Sequence, residues 1–155
     1  MVFIPRDPVM QNQFLVHDSA KGTTATAGAV VSLSASEKVE VVSGTNTVPY
    51  GFLMQNVKAE SSTHPTGFRL PGELGSSDAF TGDPVGVAHL GLYDTTFYDT
   101  ADTFTAGDAL YSDDAGKVTV NQGSGALAVQ VATAQNTLDA TAVAAGASLR
   151  IKLLI

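Results

Sequence analysis

The chain has 155 residues, no cysteine, 44% hydrophobic and 15% charged side chains, and a formal net charge of −7. One core can bury roughly two-thirds of the unfolded surface at this length, and disulfides, thiolate nucleophiles and zinc–cysteine sites are excluded together. The eight cations (Arg6, Lys21, Lys38, Lys58, Arg69, Lys117, Arg150 and Lys152) are scattered, so no basic stripe exists to neutralise phosphates, and neither nucleic acid nor a membrane surface is expected as a partner.

Residues 1–24 read as an extended arm. Pro5 and Pro8 hold their neighbours in extended geometry, and a short apolar group, Phe14 to Val16, follows. The arm has neither a basic segment leading into an apolar core nor an apolar run long enough to span a bilayer, so the protein is expected to be made in a cytoplasm, neither secreted by the general route nor membrane-spanning. Residues 25–155 read as a single β-rich domain. Val30, Val31 and Leu33 mark a short strand, Lys38 to Val42 alternates as a second, and YGFLMQNVKA reads as a longer third.

Between about 60 and 84 the chain is interrupted by Pro65, Gly67, Pro71, Gly72, Gly75 and Gly82, the mark of a long irregular loop. Strand candidates resume with PVGVAHLGLYDTTFYDT and continue through DALYSDD, GKVTV, ALAVQVATA and LRIKLLI, each bounded by turn residues. The Ala-rich stretch Leu138–Ala147 contains Thr141, Val143 and Gly146 and lacks a 3.6-residue period, and is read as non-helical. The fold class expected is mostly β, a small barrel or sandwich.

Residues 26–44 and 105–123 align without gaps, with Thr, Ala, Gly and later Lys, Val, Val and Gly at matching places. These are residues that set a hairpin: a glycine before one strand, alternating valines in the next, a glycine after it. A structural repeat follows from that reading.

Chemistry is sparsely signalled. His17, His64 and His89 have no metal-helix spacing. The run Asp94, Asp99, Asp102, Asp108, Asp113 and Asp114 does not follow a calcium-loop pattern; Asp in turns bends the backbone through its own side chain. Gly123–Ala128 fits G-x-G-x-x-A formally, but a strand follows where a phosphate-binding helix would be needed. Neither a P-loop nor a G-x-S-x-G elbow is present. No catalytic residue, metal or cofactor is therefore assigned. The aromatic group Tyr93, Phe97, Tyr98 and Phe104 is read as a subunit interface, since such residues are enriched at interface cores.

The run PVGVAHLGLYDTTFYD, then AGDALYSDDAGKVTV, a further strand, an Ala-rich loop and the terminal LRIKLLI resembles the small capsid decoration (cement) proteins of tailed bacteriophages, particularly phages infecting cyanobacteria. The resemblance covers much of Val48 to Ile155. It implies a β-rich structural protein, not an enzyme, on the outer capsid surface of the virion, usually a homotrimer though a dimer is also compatible. Its partner would be the major capsid protein of the same phage, whose neighbouring subunits it clamps. By analogy, and because the arm is apolar and braced by proline, Val2, Phe3, Ile4 and Pro5 are expected to contact the capsid, leaving a domain that folds without them. Two other readings share the composition: a tail or fibre module, and a hydrolase with a dispersed carboxylate site.

Overall fold

The computed structural model describes residues 3–5, 11–18, 24–44, 47–60 and 78–155. The strands are β1 (Phe3–Pro5), β2 (Gln11–Val16), β3 (Val30–Leu33), β4 (Val39–Val41), β5 (Gly51–Leu53), β6 (Asn56–Lys58), β7 (Asp78–Phe80), β8 (Pro84–Leu90), β9 (Leu92–Thr95), β10 (Ala109–Ser112), β11 (Val118–Thr119), β12 (Ala132–Ala134) and β13 (Leu149–Leu153). One short helix, α1 (Ala140–Ala144), lies between the last two.

Two open sheets carry the fold, in the orders β2-β8-β5-β3-β4 and β1-β9-β13-β12-β10-β11, with β6 and β7 forming a small parallel pair. Because neither sheet closes on itself, the architecture is sandwich-like rather than a barrel.

The echo between residues 26–44 and 105–123 is the visible part of a larger repeat. Ser32 faces Glu40 and Leu33 faces Val39 in the first hairpin; Tyr111 faces Thr119 and Ser112 faces Val118 in the second. The turn amides repeat as well: Ser34 donates to the Lys38 carbonyl at 2.7 Å, and Asp113 to the Lys117 carbonyl at 2.9 Å.

Beyond the hairpins the sequence likeness fades, but the pairing persists. Phe52 opposite Ala88 corresponds to Thr133 opposite Lys152, and Gln13 opposite Val87 to Tyr93 opposite Ile151. The bridge between Ala25 and Val57 recurs between Phe104 and Leu138. Even a side-chain brace recurs: the Gly86 amide donates to Gln55 Oε1 at 3.1 Å and the Arg150 amide to Asn136 Oδ1 at 2.7 Å. Strands β2, β3, β4, β5 and β8 thus have β9, β10, β11, β12 and β13 as counterparts.

The repeats meet through unlike faces. Val30, Phe52 and Ala88 of the first share one core with Tyr93, Leu110, Ala132 and Ile151 of the second. The opposite face of the first repeat, with Val31, Leu53, Val85 and Val87, forms a separate cluster with Val57 and Ala79. In the second repeat the counterparts of Val30, Phe52 and Ala88 are Ala109 and Thr133, both half-buried, and exposed Lys152.

Several expectations change here. YGFLMQNVKA is two strands, β5 and β6, because the chain turns at Met54 and Gln55. ALAVQVATA begins as a 3-10 turn, Gly125–Ala128, and only Ala132–Ala134 is strand. The stretch read as non-helical holds α1, whose N-cap Asp139 accepts the Ala142 amide at 2.8 Å, a stabilising cap worth about 1 kcal/mol.

Candidate interaction surface

Within the arm, β1 pairs with β9 and β2 with β8, each at the edge of a different sheet. Phe3 is 9% exposed, and its ring stacks on Tyr93 at 4.4 Å between centroids and on Phe52 at 5.9 Å. The apolar surface of Phe3 is thus used inside the chain, bridging the two sheets. Ile4 and Pro5 lie opposite Asp94 and Tyr93 along β9, and Val2 lies outside the described residues.

The aromatic group is likewise mostly internal. Tyr93, Tyr98 and Phe104 are 0%, 3% and 1% exposed. The Tyr98 ring meets Phe104 edge-on at 5.3 Å and its hydroxyl donates to the Ala147 carbonyl at 2.7 Å. Phe97 is half-buried. The side chains of Tyr93, Tyr98 and Phe104 pack in the core shared by the two repeats.

The aspartates hold turns. Asp108 accepts the Thr105 amide at 2.7 Å, and Asp113 Oδ1 accepts the Ala115 and Lys117 amides at 2.9 and 2.7 Å. Asp99 accepts the Ala101 amide at 3.0 Å. Asp102 is buried and accepts from the Thr119 hydroxyl, the Val120 amide and the Asn121 side-chain amide. Asp94 receives Arg150 Nε at 3.0 Å on the outer face of the second sheet. Among the described residues no three His, Asp or Glu side chains converge as a metal site would require. His17 sits in the core of the first repeat, far along the chain from His89, which meets Tyr50 edge-on at 4.8 Å. His64 and most of the expected loop, residues 61–77, lie outside the described residues. No helix among the described residues is long and apolar enough to cross a membrane.

What the described surface does offer is a small set of exposed large apolar side chains: Leu33, Val48, Leu90, Val129 and Leu154. Sequence reading missed them, because each belongs to an apolar run that looks like ordinary strand until the register shows which side chains leave the core.

A family model described as phage cement protein matches residues 74–152, just over half the chain and nearly all of the second repeat. The chain belongs to the phage cement protein family. Among curated proteins none matches. For a cement protein, a capsid-associated structural role follows, and the recurring turns and filled cores described above are scaffold for it. The family match begins just before β7 and ends within β13, so it spans β8 of the first repeat and every strand of the second.

Proposed function

We propose that this protein binds the outer surface of an assembled phage capsid and stabilises it by clamping neighbouring copies of the major capsid subunit. The observation that carries the reading is the cement-family match across β7 to β13. The physical character of the chain supports it. The acidic surface suits a soluble component that must not adhere to the packaged nucleic acid. The duplicated sandwich has well-filled cores, so it can bear load between subunits without first becoming ordered. Because the lattice repeats each contact many times, modest affinity per copy sums to firm attachment. Association of three chains on the shell fits this role, with contacts drawn from the surface rather than from buried Tyr93, Tyr98 and Phe104.

The test is calorimetry and co-sedimentation with shells assembled from the major capsid subunit alone. Adding the protein should raise the temperature at which shells dissociate and should saturate at a fixed ratio to the capsid subunit. Failure to co-sediment, with the protein found only in the tail fraction of dissociated virions, would replace this reading by a tail or fibre role.

A further inference from the structure

Four of the five exposed large apolar residues, all but Leu33, fall into pairs. Val48 and Val129 are counterparts in the two repeats, each two residues before the amide that opens a β-pairing: Tyr50 donates to the Val31 carbonyl at 2.7 Å and Val131 to the Leu110 carbonyl at 2.8 Å. Leu90 and Leu154 are counterparts too, each closing the line of its strand, β8 in one repeat and β13 in the other. Their exposures are 64% and 42% for the valines and 41% and 50% for the leucines.

The repeats have diverged almost everywhere else along these strands. Between Thr47–Lys58 and Ala128–Asp139, Val48/Val129 is the one identical pair; between Pro84–Leu90 and Ser148–Leu154, it is Leu90/Leu154. Core positions changed freely, Leu53 to Ala134 and Tyr50 to Val131, because compensating side chains can refill a core. That packing constraint is much weaker on these four residues, each two-fifths or more exposed. An exposed aliphatic pair kept twice, while its buried neighbours were replaced, points to a contact made twice.

The fold also brings the two pairs together. The Leu153 amide donates to the Gly91 carbonyl at 3.0 Å, and the Leu154 amide to the Val131 carbonyl at 3.0 Å. Leu90 and Leu154 each stand next in sequence to a partner of that first bond, so both repeats present their pair at one end of the sandwich.

We infer that this end is the docking surface, and that its two Val–Leu pairs seat on two equivalent apolar sites of adjacent capsid subunits, one pair per subunit. The inference rests on the proposed capsid role and deepens it. A doubled patch on one chain matches a partner surface that itself recurs at fixed spacing, and two linked contacts bind far more tightly than one.

The experiment is co-sedimentation of the full chain with undecorated shells, using Val48→Ser with Leu90→Ser, Val129→Ser with Leu154→Ser, and all four together. Each double variant should bind at least tenfold more weakly, the quadruple variant should not bind measurably, and Leu90→Met with Leu154→Met should bind as the parent does. Melting temperatures check that all remain folded. Parent and all variants binding alike would overturn the docking surface while leaving the capsid role intact; loss in only one double variant would overturn the two-site reading. Failure of the parent itself to bind would overturn both. Self-association of the parent that the quadruple variant abolishes, with shell binding retained, would assign the patch to a second copy of this chain instead.

Discussion

Gly28 and Gly107 are counterparts that share a left-handed turn, at φ +89° and +100°, but only Gly28 is walled in: a β-carbon there would lie 2.5 Å from Thr95 Oγ1 and 3.2 Å from Phe97 Cβ, whereas at Gly107 it would meet nothing within 4 Å. The difference arises because the first turn is pressed against the second repeat and the second turn faces outward. Gly107→Ala should therefore cost only the left-handed backbone, about 1–2 kcal/mol. Gly28→Ala should cost that plus overpacking, about 3 kcal/mol or more in total. Urea denaturation of the two variants checks this, and equal losses would show that the first turn yields easily.

Phe3 supplies a second expectation. Truncating a buried phenylalanine to alanine typically costs about 3–5 kcal/mol, and Phe3 is stacked between Tyr93 and Phe52. Phe3→Ala should lower stability by about 3 kcal/mol, and deletion of residues 2–8 by at least as much, since the β1 ladder goes with it. A deletion variant that melts like the parent would restore the arm as a detachable segment.

His17 should make stability depend on pH. Burial holds its imidazole below the usual 6.5, with the charges of Asp18 and Glu40 pulling the other way. The unfolded chain then takes up a proton that the folded chain resists, so this contribution is fully present above about pH 6.5 and is lost as pH falls toward the folded value. The parent should lose more stability than His17→Gln between about pH 7 and pH 5, a range in which few other side chains titrate. An identical loss in both proteins would assign the acid sensitivity to the carboxylates.

Asp102, in the connection between β9 and β10, holds down the end of β11. Its carboxylate accepts from Thr119, Val120 and Asn121, and Thr119 is only 3% exposed. Asp102→Ala strands that hydroxyl and should cost about 2–3 kcal/mol; Asp114→Ala, on an exposed turn, should change stability by less than about 0.5 kcal/mol. Thermal denaturation of the pair distinguishes a structural carboxylate from a solvated one.

Strands whose alternation survives in a short window were legible in the sequence: Val30–Leu33, Val39–Val41, Ala109–Ser112 and Leu149–Leu153 all stand where the pattern places them. The hairpin repeat was legible because its glycines and valines answer to local turn geometry. Phe3 was not, since the rings that bury it come from Phe52 and Tyr93, and no local pattern reports a contact of that span. The burial of Tyr93, Tyr98 and Phe104 was hidden for the same reason: an aromatic beside Asp and Thr looks superficial until the fold encloses it. The helix was signalled only by Asp139 standing three residues before Ala142, a cap too short-ranged to outweigh the β-branched Thr141 and Val143. The Val–Leu pairs could have been found by extending the repeat alignment beyond the hairpins, which requires the shifted register that only the strand pairings supply.

The polar face of the second sheet has a consequence for how many layers can stack within this fold. A contact between unlike faces has no natural end, since every added unit offers the next one a fresh copy of the face just covered, and such contacts grow into fibres unless something stops them. Where the first repeat offers Gly86, Ala88 and Phe52, the second offers Arg150, Lys152 and Thr133. Two cations and a hydroxyl there leave a third layer no apolar surface to pack on, so the stack stops at two repeats.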